Sequence, residues 1–259
     1  MIKIDLTGKV ALIIGGSRGI GGAITYVLAN AGADGIFTHT GNPEHKGVLS
    51  LFEKKIHSEN LKAEGQILGA TDYEGTKSLV SKIISRKGHI DILVYNAGFS
   101  RPATVEEKDI DEWGKMIDIN LGGAFYNVKA VLPEMVKRNY GRIVFIGSSA
   151  VFDGGGGAID YASSKSGLTG MCLYLARNYT RKGINTNIIH PAVIETDMLK
   201  IRYKTKEDLE KLRQQIPVGR LGKPEDIGYL VAFLVSSLGD YICGQAILVD
   251  GGRTFFGKT

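Results

Sequence analysis

The stretch VALIIGGSRGIGG, running from Val10 to Gly22, decides the fold. Val10–Ile14 is a short unbroken apolar run, the pattern of a strand buried on both faces. The turn GGSRGIGG follows at Gly15–Gly22, and a helical stretch then continues to about Ala31. Strand, glycine-rich turn and helix in that order form an entrance for a phosphate group. Gly15 and Gly19 supply backbone angles that other residues resist, and Gly21 lets the helix pack closely on the strand. The N–H groups that open the helix face a pyrophosphate. Ser17, Arg18 and Ile20 complete the turn.

Gly35–Thr38 reads as the second strand. A unit of this kind that prefers NAD carries an acid near the end of that strand, where it takes the ribose 2′-hydroxyl. Here the end reads Thr38-His39-Thr40-Gly41-Asn42, with no acid before Glu44. No carboxylate repels a 2′-phosphate and Arg18 is a cation at hand, so the expectation is NADP in preference to NAD. His39 and Thr40 are further candidates for that phosphate, although a surface histidine is the commoner reading of His39.

Further along, Val48–Lys62 is a charged amphipathic helix and Gln66–Leu68 a third strand. Asp72 then either caps the next helix or hydrogen-bonds an adenine amino group, and its position favours the cap. Ile90–Val94 is a fourth strand ending in Tyr95-Asn96-Ala97-Gly98, whose small residues allow a ligand close approach. Helices follow at about Asp109–Asp118 and Leu121–Lys137. Asn120 sits at their junction, where it either opens a helix turn or holds a water. Arg142–Ile146 and Ile184–Ile189 are strands. The segment His190-Pro191-Ala192-Val193-Ile194-Glu195-Thr196-Asp197-Met198 and a charged helix near Lys204–Gln215 form a polar, mobile lid at about residues 192–218. Pro224–Val235 is a helix and Ala246–Val249 a last strand.

Strands alternate with helices throughout. The expected fold class is therefore α/β, a doubly wound Rossmann-type parallel sheet of about seven strands with helices on both faces, in one domain spanning 1–259. The 259 residues are enough for a sizeable core. The net charge of +5 comes without long basic runs, which points away from nucleic acid. No apolar run reaches the roughly 18 residues of a membrane span, and the N-terminus shows no basic leader, so a soluble cytoplasmic protein is expected. Cys172 and Cys243 match no metal or redox spacing and read as buried thiols. No metal site is expected.

The chemistry concentrates in SSAVFDGGGGAIDYASSK, Ser148 to Lys165. Tyr161 and Lys165 stand at i and i+4, on one helix face. An ammonium beside a phenol lowers a pKa that starts near ~10. A phenol so tuned exchanges protons at neutral pH, and Ser148 can hold a carbonyl or hydroxyl oxygen at the same point.

GGSRGIG at 15–21, Asp72, YNAG at 95–98, Asn120, Ser148, Tyr161-x-x-x-Lys165, and Pro191 with Thr196 stand together over nearly the whole chain. In this the sequence resembles the short-chain dehydrogenase/reductase family. Within it, IGS at 146–148, IETDM at 194–198 and VDGG at 249–252 resemble the branch that includes 3-oxoacyl-(acyl-carrier-protein) reductases. The resemblance implies that Tyr161 is the general acid in reduction, that Lys165 lowers its pKa and binds the nicotinamide ribose, that Ser148 orients the substrate oxygen, and that Asn120 holds a water in a relay to Lys165. It further implies an adenine contact for Asp72, a cofactor cleft lined by Asn96, Ala97 and Gly98, a carboxamide held by backbone after Pro191, including Val193 and Ile194, and a carboxamide or phosphate contact for Thr196. Three positions depart from the family pattern: Ile14 for Thr, Tyr95 for Asn, and Ala192 for Gly, the last able to crowd the nicotinamide if a positive φ is needed there.

The expected function is NADPH-dependent reduction of a ketone to a secondary alcohol, with a 3-oxoacyl thioester as one candidate substrate. The alternatives are an NAD(P)-dependent alcohol, sugar-alcohol or steroid dehydrogenase and, in another class, a non-catalytic nucleotide-sensing scaffold. Phe99, Ser100, Val151, Phe152 and Ile159, with Val193, Met198, Leu199 and Tyr203 from the lid, are candidates for a mostly apolar substrate pocket. The resemblance also implies a homotetramer or homodimer, which Phe255 and Phe256 near the C-terminus would suit.

Overall fold

The computed structural model describes residues 3–196, 199, 203 and 205–256. Strand β1 (Val10–Ile14) is buried along its whole length. It lies between β2 (Asp34–His39) and β4 (Ile92–Tyr95), parallel to both. With β3 (Ala63–Ile67), β5 (Gly141–Ile146), β6 (Ile184–Pro191) and β7 (Ala246–Val249), the described residues form one parallel seven-stranded sheet of order β3-β2-β1-β4-β5-β6-β7.

Side chains alternate across a strand, so a strand buried on both faces feeds two cores. Val10, Leu12 and Ile14 point to one face. There they meet α3 (Tyr73–Lys87), α5 (Gly123–Arg138) and α7 (Ile159–Tyr179) through Leu79, Val128 and Leu168. Ala11 and Ile13 point to the other, against α1 (Gly19–Asn30) and α9 (Pro224–Val235) through Ile24, Leu28 and Val231. Asp91, buried at the start of β4, staples the amino ends of the strands. It accepts the Val10 N–H at 2.9 Å and pairs with Arg138 at 3.1 Å and His89 at 2.9 Å.

The expected elements are present, with shifted ends. The helix α2 (Lys46–Ser58) stops short of Lys62 because Asn60 turns left-handed at φ 54°. β3 begins three residues earlier than its apolar content suggests. It is an edge strand, and pairing with β2 sets its bounds rather than burial. The helix α4 (Ile110–Ile117) is joined to α5 by a π-helical turn, Asp118–Gly122. Two short helices, α6 (Ala150–Asp153) and α10 (Arg253–Phe256), were not expected.

The cover segment also differs from its polar reading. Around α8 (Lys206–Gln214), Leu212, Ile216 and Leu221 make a small third core with Val193, Leu199, Tyr203 and Leu209. Backbone bonds tie it down, Glu195 N–H to Gly222 O at 2.8 Å and Val218 N–H to Gly251 O at 3.1 Å. Met198, with Asp197, lies outside the described residues. Both cysteines are free thiols, but only Cys172 is buried, Cys243 being partly exposed.

Candidate active site

Gly15–Gly21 follow β1, His39 ends β2, Asn96–Gly98 follow β4, Ser148 follows β5 and Pro191 ends β6, so these candidates share the carboxyl edge of the sheet. In the glycine turn, Gly15 and Gly19 have φ of 75° and 52°. The Gly15 N–H donates to Thr38 Oγ1 at 3.1 Å, and the Gly15 carbonyl accepts from Asn96 Nδ2 at 2.8 Å. A side chain at Gly21 would collide with that carbonyl and with the Asn96 amide. Asn96 thus acts as a brace between β4 and the turn, and Ala97 packs against Gly15. Thr38, buried under the turn, was missed in the sequence because a threonine inside a strand signals nothing by itself.

Arg18 is the extended residue that opens α1, whose first turn carries no acid. Thr196 lies over the turn, its Cγ2 at 3.4 Å from where a Gly19 Cβ would stand. Ser17, Arg18, Gly19, Lys55 and Thr196 help line an open cavity of about 340 Å³. His39 is half-buried, its Nδ1 3.2 Å from the Gly41 N–H, and Thr40 is exposed. Ile20 packs partly on the core below. Asp72 caps α3, accepting the Gly75 N–H at 2.8 Å, the role its position favoured.

Ser148 follows β5, and Tyr161 and Lys165 lie in the first two turns of α7. The Ser148 side chain acts on the Tyr161 phenol. Burial pushes the phenol above its ordinary pKa, and Ser148 pulls it only partly back. This corrects the expectation that Lys165 lowers it. The ammonium is 5.9 Å from the Tyr161 ring centre and donates instead to the Ile146 carbonyl at 2.8 Å. A phenol held in this way keeps its proton at neutral pH, which suits a donor.

Lys165 is itself buried, and that burial pushes its pKa down to about 8 from 10.5. The neutral amine is favoured in the fold, so the charged form costs stability below pH 8 and the cost disappears as pH rises to 10.5. The stability of the wild type relative to Lys165→Met is expected to rise by roughly 3 kcal/mol across that interval. Denaturant titrations of both proteins along a pH series would show it, and a flat difference would refute it.

Asn120 is fully buried in the π-helical turn. Its Oδ1 accepts the Phe99 N–H at 3.0 Å, and its Nδ2 donates to the Phe99 carbonyl and to Ser164 Oγ, both at 3.1 Å. Tyr95, which departs from the family pattern, donates its hydroxyl to the Ile119 carbonyl, one residue before Asn120. The departure therefore replaces one structural bond by another and anchors the same turn. Ser164 Oγ, missed in the sequence, donates its own hydrogen bond to the Tyr161 carbonyl at 2.8 Å.

β6 ends at Pro191, whose carbonyl accepts the Ser149 N–H at 2.8 Å. The positive φ values of non-glycine residues, among the described residues, are at Asn60 and Asn139, so Ala192 sits without strain. Val193 and Ile194 follow, with Ile194 buried and bridged to Gly222. A buried ion pair, Lys108–Asp160, lies beside Tyr161 and had no signal in the sequence.

The site fits a dinucleotide. In the turn, a Cβ at Gly15, Gly16 or Gly21 would meet neighbouring atoms at 3.0 Å or less, so bare backbone lines it, and a Cβ at Gly98 would fill the gap between Asn120 Oδ1 at 3.0 Å and Lys165 Nζ at 3.3 Å. The chain has clear relatives. The family described as enoyl-(acyl carrier protein) reductase matches residues 14–254. The 3-oxoacyl-(acyl-carrier-protein) reductase of Escherichia coli (strain K12) is 38% identical over 251 residues, covering 96% of this chain and 98% of that one. The same enzyme of Aquifex aeolicus (strain VF5) is 36% identical, covering 97% and 99%. Among solved structures, a gluconate 5-dehydrogenase from Burkholderia cenocepacia J2315, in complex with NADP and tartrate, superposes with a TM-score of 0.88 at 27% identity, covering 97% of each chain. With this fold, this site and these relatives, the chain belongs to the short-chain dehydrogenase/reductase family, NAD(P)-dependent oxidoreductases acting on CH–OH groups.

Proposed function

We propose that the protein reduces a ketone to a secondary alcohol with NADPH, and that 3-oxoacyl thioesters are its first substrate class. The observation that carries this reading is the gathering of Ser148, Tyr161 and Lys165 where β5 meets α7, with Lys165 buried. Bound NADPH supplies the hydride to the carbonyl carbon. Tyr161 gives its proton to the carbonyl oxygen, and Ser148 holds that oxygen in line. Lys165 holds the nicotinamide ribose and returns a proton to Tyr161, with Asn120 holding the water that relays it. The glycine turn from Gly15 to Gly21 takes the pyrophosphate, with Ser17 and Ile20 in its lining, and Thr196 closes over it. Asp72 meets the adenine with its carboxylate. Asn96, Ala97 and Gly98 line the cleft, and the backbone of Pro191, Val193 and Ile194 holds the carboxamide. Arg18, His39 and Thr40 hold the 2′-phosphate.

The chain works as one cofactor-binding unit under a cover at about 192–218, as a cytoplasmic homotetramer or homodimer. Among the described residues no helix is long and apolar enough to cross a membrane, and Phe255 and Phe256 are exposed on the single chain. A second reading, oxidation of a sugar acid or alcohol, is favoured by the gluconate 5-dehydrogenase likeness. A non-catalytic scaffold is disfavoured by the complete Asn, Ser, Tyr and Lys set.

Rates with a 3-oxoacyl thioester should be fast with NADPH and slow with NADH. Arg18→Ala should raise the KM for NADPH roughly 10- to 100-fold, the worth of a charged hydrogen bond, and leave that for NADH unchanged. Preference for NADH would overturn the 2′-phosphate reading. Turnover of gluconate in place of the thioester would move the substrate to the second reading.

A further inference from the structure

β6 carries a side chain that has no part in the mechanism above. His190 is fully buried. Its Nδ1 lies 3.2 Å from the Ser148 backbone nitrogen and 3.0 Å from the Ser148 carbonyl oxygen. Its Nε2 lies 3.4 Å from Thr169 Oγ1 on α7, and Phe152 stands edge-on to the ring at 5.3 Å. The backbone makes room for this ring, because a Cβ at Gly147 would collide with Nδ1. The residue before the substrate-orienting serine is therefore a glycine for the sake of His190.

Two neutral forms fit these contacts. With Nδ1 bare, it accepts the Ser148 N–H while Nε2–H donates to Thr169. With Nδ1 protonated, it donates to the Ser148 carbonyl while Nε2 accepts the Thr169 hydroxyl. A doubly protonated ring donates Nδ1–H to the Ser148 carbonyl and Nε2–H to Thr169, so what it gives up is the Ser148 N–H, which then faces another N–H without an acceptor.

We propose that His190 is a positioning residue for the reduction: its bare Nδ1 accepts the Ser148 N–H and so sets the direction of the hydroxyl that meets Tyr161, and a second proton moves that bond from the Ser148 N–H to the Ser148 carbonyl. The kinetic half of this rests on the reductase reading, and the spectroscopic half does not. Lys165 on α7 is the charged group that acts on the ring. Gly147 and Ser148 after β5, Phe152 on α6, Thr169 on α7 and Leu248, paired with His190 from β7, are uncharged. Burial pushes the imidazole pKa below its ordinary value, the Ser148 backbone bond pulls it up, and Lys165 pushes it down again. In the reductive direction acid leaves Tyr161 protonated and Lys165 charged, so neither removes activity as pH falls.

The test compares the wild type with His190→Asn, whose amide stands where Nδ1 stood and does not titrate, and with His190→Phe, which fills the space without a polar atom. Reduction rates are measured from about pH 5 to pH 8, through the histidine range. The wild type should lose kcat towards the acid end, and His190→Asn should hold its kcat there. His190→Phe should lose roughly tenfold in kcat at every pH, the worth of one hydrogen bond, with the KM for NADPH unchanged. An acid limb that persists in His190→Asn, or full kcat in His190→Phe, overturns the proposal. Without substrate, the Ser148 amide resonance should shift with the His190 titration in the wild type and stay fixed in His190→Asn. A Ser148 amide that ignores pH in the wild type overturns the proposal as well. Absence of any wild-type turnover would defeat the reductase reading instead, and the resonance would still decide His190.

Discussion

Tyr161→Phe is expected to lose about 10²- to 10⁴-fold in kcat, the usual worth of a general acid. It should still bind NADPH as the wild type does. The change removes one oxygen and leaves the ring, which packs against the Gly156 backbone and anchors the loop before α7. Lys165 keeps its bond to the Ile146 carbonyl, because that bond does not pass through the phenol. Ser148 keeps its bond to the α6 backbone, where Ala150 N–H reaches its Oγ at 3.2 Å. The loss should therefore fall on kcat, with cofactor affinity and melting temperature unchanged. Stopped-flow reduction and a fluorescence titration with NADPH separate the two. A variant with near-normal turnover would remove Tyr161 from the mechanism.

The second large effect is on stability. Lys108 and Asp160 are 4% and 0% exposed, with Nζ and Oδ2 3.1 Å apart. Asp160 Oδ1 accepts the Tyr161 N–H at 2.9 Å, and Lys108 Nζ also donates to the Arg101 carbonyl at 3.2 Å. One pair thus ties the loop after β4 to the start of the catalytic helix. Asp160 Oδ2 has no hydrogen-bond partner of its own, so the ammonium is what compensates its charge. Lys108→Met leaves a buried carboxylate uncompensated and is expected to cost about 3–5 kcal/mol. Lys108→Met with Asp160→Asn removes both charges and should recover most of that, since the pair gains little over a neutral replacement. Urea titration of the three proteins gives the coupling directly. A single variant within 1 kcal/mol of wild type, on the scale of an exposed pair, would mean that water reaches Asp160.

What the sequence disclosed, and what it withheld, follows from range. Val10–Ile14, Pro224–Val235 and Ala246–Val249 have the bounds their patterns suggest, because apolar runs and a proline at a helix start are local signals. Tyr161 and Lys165 were legible for the same reason, four residues apart on one helix. The lowered phenol pKa was not a safe deduction. Spacing puts the two side chains on one face, but burial and the pull of the Ile146 carbonyl decide the electrostatics, and both come from other elements. His190 meets Ser148 across 42 residues, and Lys108 meets Asp160 across 52, so no window of sequence contains either pair. Asp72 shows the reverse, a cap that is plain from position and visible in the structure.

The place of β1 in the sheet has a consequence for synthesis of the chain. Strands β1, β2 and β3 lie side by side in the order they leave the ribosome, so three of the seven strands can assemble once Ile67 has emerged. The other edge of β1 must wait for Ile92–Tyr95. During that interval VALII, an uncharged and β-prone segment, presents an open edge to any neighbouring nascent chain. The same strand that organises the finished molecule is exposed to aggregation while it is being made, and holdase chaperones acting on the first ninety or so residues would protect it.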